Sequence, residues 1–243
     1  HRDLHSFPTR RSSDLTNFRA ILEQWPEEER VLDALIQIAR AEQNYADLVE
    51  LLDRKRVVAA EKNLRRAAAI EMADICHERF EDNNRAIALL KELLDEREND
   101  AEISDKLAFI YELEGRYEEL YELLNIRLKY LREEDEFLPV RIQMGDLLEN
   151  HLERAPEAVA LYRELAINYG VHPAVSALVE RLMEREDTQL EIANEMEEKY
   201  IKASDWQHLI RVYEIQLKHE SDRKKKNKLL HKVGVVYREK LKD

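Results

Sequence analysis

The residues whose types could do chemistry are few, and their spacing does not assemble them. Cys76 is the single cysteine, so the chain can build neither an internal disulfide framework nor a cysteine-based zinc knuckle. His77 follows Asp74 by three residues, which puts both on one face of a helix. One histidine and one aspartate do not close a metal site. His208, His219 and His231 are scattered and expected in solvent. Adjacent carboxylates such as Glu118 and Glu119 recur, and none stands apart as an acid–base couple. Four glycines leave little material for a phosphate cradle, and neither Gly-x-Ser-x-Gly nor His-Glu-x-x-His occurs. The sequence therefore predicts a protein that is not an enzyme, with no catalytic residue, no cofactor and no metal.

Charge is more informative. The chain has 52 acidic and 39 basic side chains, a formal net charge of −13. The basic residues gather at the end in Arg223, Lys224, Lys225, Lys226 and Lys228, so the stretch before residue 202 is more acidic than the total implies. The cluster reads either as a solvated turn or as a contact for phosphate or an acidic partner. Basic residues at a helix start also oppose the helix dipole. The overall acidity argues against nucleic acid, whose backbone requires a basic footprint.

Elements come next. Only 4 Gly and 5 Pro occur, too few turn residues for a sandwich or barrel. With 37% charged and 44% apolar residues, the composition suits amphipathic helices. Ala86-Ile87, Leu89-Leu90 and Leu93-Leu94 recur at three- and four-residue steps, as do Val31, Leu35, Ile38 and Ala39. Pro26 before three glutamates marks a helix start. Asn99-Asp100 and Ser204-Asp205 are candidate caps, and Gly170 and Pro173 bracket a break. The pattern predicts about twelve helices joined by short turns, no strand and no transmembrane segment.

The helices repeat. Residues 45–82 align without gaps to 117–154 and again to 206–243. Tyr45, Tyr117 and Trp206 share one column, and Leu48, Leu120 and Leu209 another. Met72, Met144 and Val233 are followed by the small residues Ala73, Gly145 and Gly234. Cys76 falls in an apolar column with Leu148 and Tyr237, so it is expected to be a buried small hydrophobe. The third copy arrives late by about one helix, which Leu190–Tyr200 can supply. A hairpin cannot bury its apolar stripe alone, and stacked neighbours bury it jointly. Small residues fit where another helix comes close, and the aromatic column is expected to pack between helices.

Leu107, Ala108, Tyr111, Gly115 and Tyr117, followed by Ala158, Tyr162, Ala166 and Pro173, resemble the tetratricopeptide repeat. The match is degenerate: Leu120 stands where that family has a small residue, and several loops exceed its spacing. The resemblance implies an all-α fold, a right-handed superhelical array (α-solenoid) of about six antiparallel helix hairpins. It also implies a concave face lined by the first helix of each hairpin. Carried over, the groove positions are Asp74, His77, Glu102, Asp105, Phe109, Glu112, Asp146, Glu149, Arg181 and Glu184. The acids among them suggest a groove for a basic, extended or helical peptide; the same acids also read as solubilising surface.

The expected function is a scaffold that binds a partner segment of another protein. The alternatives are an anionic-surface binder acting through the basic last hairpin, and a helical region of a larger enzyme. The string His5 to Leu15 resembles a translated sequencing adapter, so residues 1–15 are expected to be foreign to the protein. Residues 16–243 are expected to form a single array, a fragment of a longer protein. With the natural start missing, the compartment stays open, with the cytoplasm favoured; oligomeric state is left open.

Overall fold

A computed structural model describes residue 20 and residues 29–241. The expectations for residues 1–15 and for Pro26 lie outside the described residues. Among the described residues there are twelve α-helices and no strand. They are α1 (Glu29–Ala41), α2 (Tyr45–Val58), α3 (Lys62–Phe80), α4 (Asn83–Glu96), α5 (Ala101–Leu113) and α6 (Tyr117–Leu128). Then follow α7 (Glu134–Asn150), α8 (Ala155–Tyr169), α9 (Pro173–Glu184), α10 (Gln189–Ala203), α11 (Trp206–His219) and α12 (Arg223–Val236). A π-helical turn, Tyr237–Leu241, continues α12. The helix α10 fills the place of the expected extra element before the third copy. Packing runs mainly between helices adjacent in sequence.

The helices start where the sequence supplies a cap. Asn44 accepts from the Asp47 N–H (3.3 Å), Asp82 from Arg85 (3.0 Å), Asp100 from Ile103 (3.4 Å) and Asp205 from His208 (3.3 Å). Each satisfies an N–H that has no partner inside its helix. At Pro173 the ring occupies a first-turn position, where no backbone donor is needed.

The repeat is written into backbone and contacts as well as sequence. Positive φ occurs at Gln43, Gly115 and Ser204, one column of the three copies, and at Glu81 and Glu153, another. Only one of these five residues is glycine, the type that adopts this conformation without steric cost. The aromatic column finds a repeated partner too. The Arg79 guanidinium lies 4.9 Å from the Tyr45 ring centre, the His151 ring stacks on Tyr117 at 3.8 Å, and the Lys240 ammonium lies 5.1 Å from the Trp206 ring centre. Arg79, His151 and Lys240 are themselves one column. The aromatic residues are half-buried, so a cation or an imidazole closes the open side of each ring.

Contacts divide the chain into two compact units, one ending at Arg116 and one beginning at Tyr117. In the first, Val31, Leu32 and Leu35 of α1 form a buried cluster against Leu51 and Val58 of α2. Ala68, Ala69, Met72, Ala73 and Cys76 of α3 are buried, as are Ala86, Ile87 and Leu90 of α4. Small side chains on α3 allow its two neighbours close approach, and α3 packs on both α2 and α4. In the second unit one continuous core runs from Leu138 of α7 to Val236 of α12. Here a Cβ on Gly145 would stand 2.2 Å from the Tyr162 ring, so glycine is what lets α8 press its tyrosine onto α7.

Candidate partner-binding faces

The positions carried over from the repeat fall in two groups, one in each unit. In the first unit Asp74 and His77 lie on α3, and Glu102, Asp105, Phe109 and Glu112 on α5. Structure brings the two helices' residues together. The Lys106 ammonium donates to Asp74 at 2.6 Å. Arg66 donates to Glu102 at 2.7 Å and to Asp100 at 3.0 Å. His77 meets the Phe109 ring edge-on at 5.7 Å, and its Nδ1 lies 2.6 Å from the Asn83 side-chain oxygen. Asn83 in turn donates to Glu114. Phe109 remains 58% exposed beside the exposed Leu113, and Glu102, Asp105 and Glu112 are exposed along the same helix. An apolar ring of that size in water at the centre of an acidic stretch is a ready anchor point for a partner.

In the second unit Asp146 and Glu149 lie on α7, and Arg181 and Glu184 on α9. They form a closed network. The Tyr162 hydroxyl donates to Asp146 at 2.6 Å. Arg181 lies over the Tyr162 ring, 4.5 Å from its centre, and reaches Asp146 at 3.5 Å and Glu149 at 3.6 Å. Arg185 also reaches Glu149, at 3.4 Å. Glu184 accepts from Arg211 of α11 at 3.2 Å, and Glu180 pairs with the same guanidinium. Burial, reinforced by the bond to Asp146, pushes the Tyr162 phenol well above its usual range. These charges bridge α7 to α9 and α9 to α11. The bridging arginines and Lys106 are what sequence reasoning missed. The signal was there, in opposite charges separated by about one hairpin: Arg66 with Glu102, Asp74 with Lys106, Asp146 with Arg181, Glu180 with Arg211.

The basic residues Arg223, Lys224, Lys225, Lys226 and Lys228 form the first turns of α12. Asp222 accepts from the N–H groups of Lys224 (2.7 Å) and Lys225 (3.1 Å). Glu220 accepts from the N–H groups of Ser221 and Asp222 and lies 3.7 Å from the Lys225 ammonium. Those backbone donors hold both carboxyls below the usual carboxylate range. The capping acid thus answers the unfavourable dipole expected for a basic helix start. His208 departs from the solvated placement expected for it. It is half-buried, stacks on Tyr200 at 5.3 Å, and lies 2.6 Å from Asp205 and 3.3 Å from Glu180.

Two cavities lie in the second unit. One of about 460 Å³ is lined by Tyr121, Leu128, Phe137, Arg141, Met144 and Leu161 from α6, α7 and α8. The bidentate pair of Arg141 with Glu164 (2.9 and 2.7 Å) holds α7 to α8 beside it. The other, of about 400 Å³, lies among α10, α11 and α12, with Asn194, Gln216, His219, Lys225 and Lys228 on its walls. Cys76 is buried, and burial pushes its thiol up, away from the reactive thiolate. Among the described residues no group of three or more His, Cys, Asp or Glu side chains is placed to hold a metal ion. Nor is any described helix long and apolar enough to cross a membrane.

Comparison with protein-family models and with curated proteins returns no match for this chain.

Proposed function

We propose that the protein is a non-enzymatic binding scaffold whose α3–α5 face takes a basic segment, extended or helical, of another protein. The observation that carries this reading is Phe109. It is a large aromatic side chain, mostly in water, on a helix whose inward residues Ile103, Leu107 and Ile110 are buried. Its neighbours along the exposed side are acidic, so an arginine- or lysine-containing segment with one apolar anchor suits the face. The α7–α9–α11 face suits a weaker role, because the carboxylates of Asp146, Glu149 and Glu184 are already engaged by arginines. The tetratricopeptide-like character and the right-handed winding belong to the same proposal. They are supported by the three-copy columns of turns, rings and small residues, and by packing between sequential helices.

The test uses short fluorescent peptides of equal apolar content and opposite net charge, titrated against the chain. Basic peptides should bind more tightly than acidic ones. Phe109→Ala should weaken binding by about tenfold, about 1.4 kcal/mol, and leave the helical circular dichroism unchanged. Asp105→Lys is the better charge reversal. Glu102 and Asp146 hold neighbouring helices, and changing them would confound binding with packing. Equal affinity for both peptide classes would refute the reading.

A further inference from the structure

We propose that the outer face of α12 docks a second kind of partner, an amphipathic helix with an acidic C-terminal turn, laid antiparallel to α12. The argument rests on the three equivalent helices α3, α7 and α12. In the first two, the helix that follows covers one set of columns. Ala73 is buried in contact with its neighbours, and the space at Gly145 is filled by the Tyr162 ring of α8. At the equivalent Gly234 a Cβ would meet nothing within 4 Å. The column of Cys76 (0% exposed) and Leu148 (2%) continues in Tyr237 at 39%. Leu230, one turn before Gly234, is 56% exposed. Leu230, Gly234 and Tyr237 recur at four and three residues, so they share one side of the helix. They leave an apolar stripe with a notch at its centre.

Charge selects the occupant. Where α4 covers α3, Lys62 at the start of α3 pairs with Glu96 at the end of α4 (3.1 Å), and Arg56 pairs with Glu92 (3.2 Å). Arg223 occupies the column of Lys62, and Lys224, Lys225, Lys226 and Lys228 follow it, all but Lys226 exposed. A helix running antiparallel to α12 would place its C-terminal turn against these cations, so acids there are complementary. A second copy offering its own α12 would set lysine against lysine. It also cannot offer α4 or α8, whose apolar faces are buried within their own units. This proposal does not rest on the reading of the α3–α5 face.

The probe is a synthetic peptide with the sequence of residues 82–97, which carries the α4 pattern and the acids Glu92, Asp95 and Glu96. Fluorescence anisotropy of the labelled peptide with the full chain should show saturable binding. Gly234→Leu, which fills the notch in open space, should weaken it by about tenfold or more without lowering the melting temperature. Replacing Glu92, Asp95 and Glu96 in the peptide by Gln, Asn and Gln should weaken it as well and flatten its salt dependence. Three results would overturn the proposal: no binding of the peptide; binding that Gly234→Leu leaves unchanged, which would place the peptide elsewhere; or a concentration-dependent dimer abolished by Gly234→Leu, which would make the occupant a second copy.

Discussion

Gly145 and Gly234 occupy the same repeat column and should respond oppositely to one methyl group. At Gly145 the added carbon would meet the Tyr162 ring at 2.2 Å. Gly145→Ala must push α8 outward or distort α7, a loss of about 1–3 kcal/mol. At Gly234 the space is open. There the substitution removes only the flexibility of glycine in a helix, so Gly234→Ala should gain up to about 1 kcal/mol. Urea unfolding of the two variants checks both signs, and equal effects would mean that the column is not packed as described. Cys76 gives a second check at this scale. Its thiol is buried and pushed up by burial, so a chromogenic disulfide reagent should react with it only as the chain unfolds. Rapid labelling of the native protein would contradict the α3–α4 packing. The small-residue column and the buried cysteine were both legible in the sequence, because apolar periodicity reports burial directly. The fates of Gly145 and Gly234 were not, because the difference lies in the helix that follows each, not in the residues themselves.

At the scale of elements, cross-helix ion pairs complement the apolar seams. Arg141 holds the Glu164 carboxyl below its ordinary value of 4.5 through a bidentate hydrogen bond, with its charge reinforcing the effect. A carboxyl lowered on folding stabilises the fold above its unfolded pKa, and that contribution disappears as pH falls through the lower folded value. Glu164 is partly exposed, so the pair contributes at most about 1 kcal/mol. Wild type should therefore be slightly more stable than Glu164→Gln at neutral pH, and the gap should close below about 4.5. A gap that persists in strong acid would mean that the glutamate acts through packing instead. The helices themselves could be read from caps and periodicity. The pairing of Asp74, Glu102, Asp146, Glu149 and Glu184 could not be read from composition, which counts acids without showing which cations the fold brings beside them. That pairing shifts the weight of the binding surface from a row of carboxylates to the exposed ring of Phe109.

On the scale of the whole molecule, the chain comprises two units with separate cores, the second containing one continuous cluster from α7 to α12. A chain of residues 117–243 should then melt cooperatively with a helical circular dichroism spectrum. A featureless, non-cooperative melt would show that the second core depends on the first. Repetition was visible in the sequence because a column survives even when its residue types drift, as from Tyr45 to Trp206. The division after Arg116 was not, because the aligned columns run on through it. The central claim concerns a surface, and titration of the chain with basic and acidic peptides of matched apolar content, using wild type and Phe109→Ala, tests it most directly. The account predicts preferential binding of the basic peptide and a loss of about tenfold on removing the ring. Indifference to peptide charge, or a Phe109→Ala variant that binds as well as wild type, would contradict it.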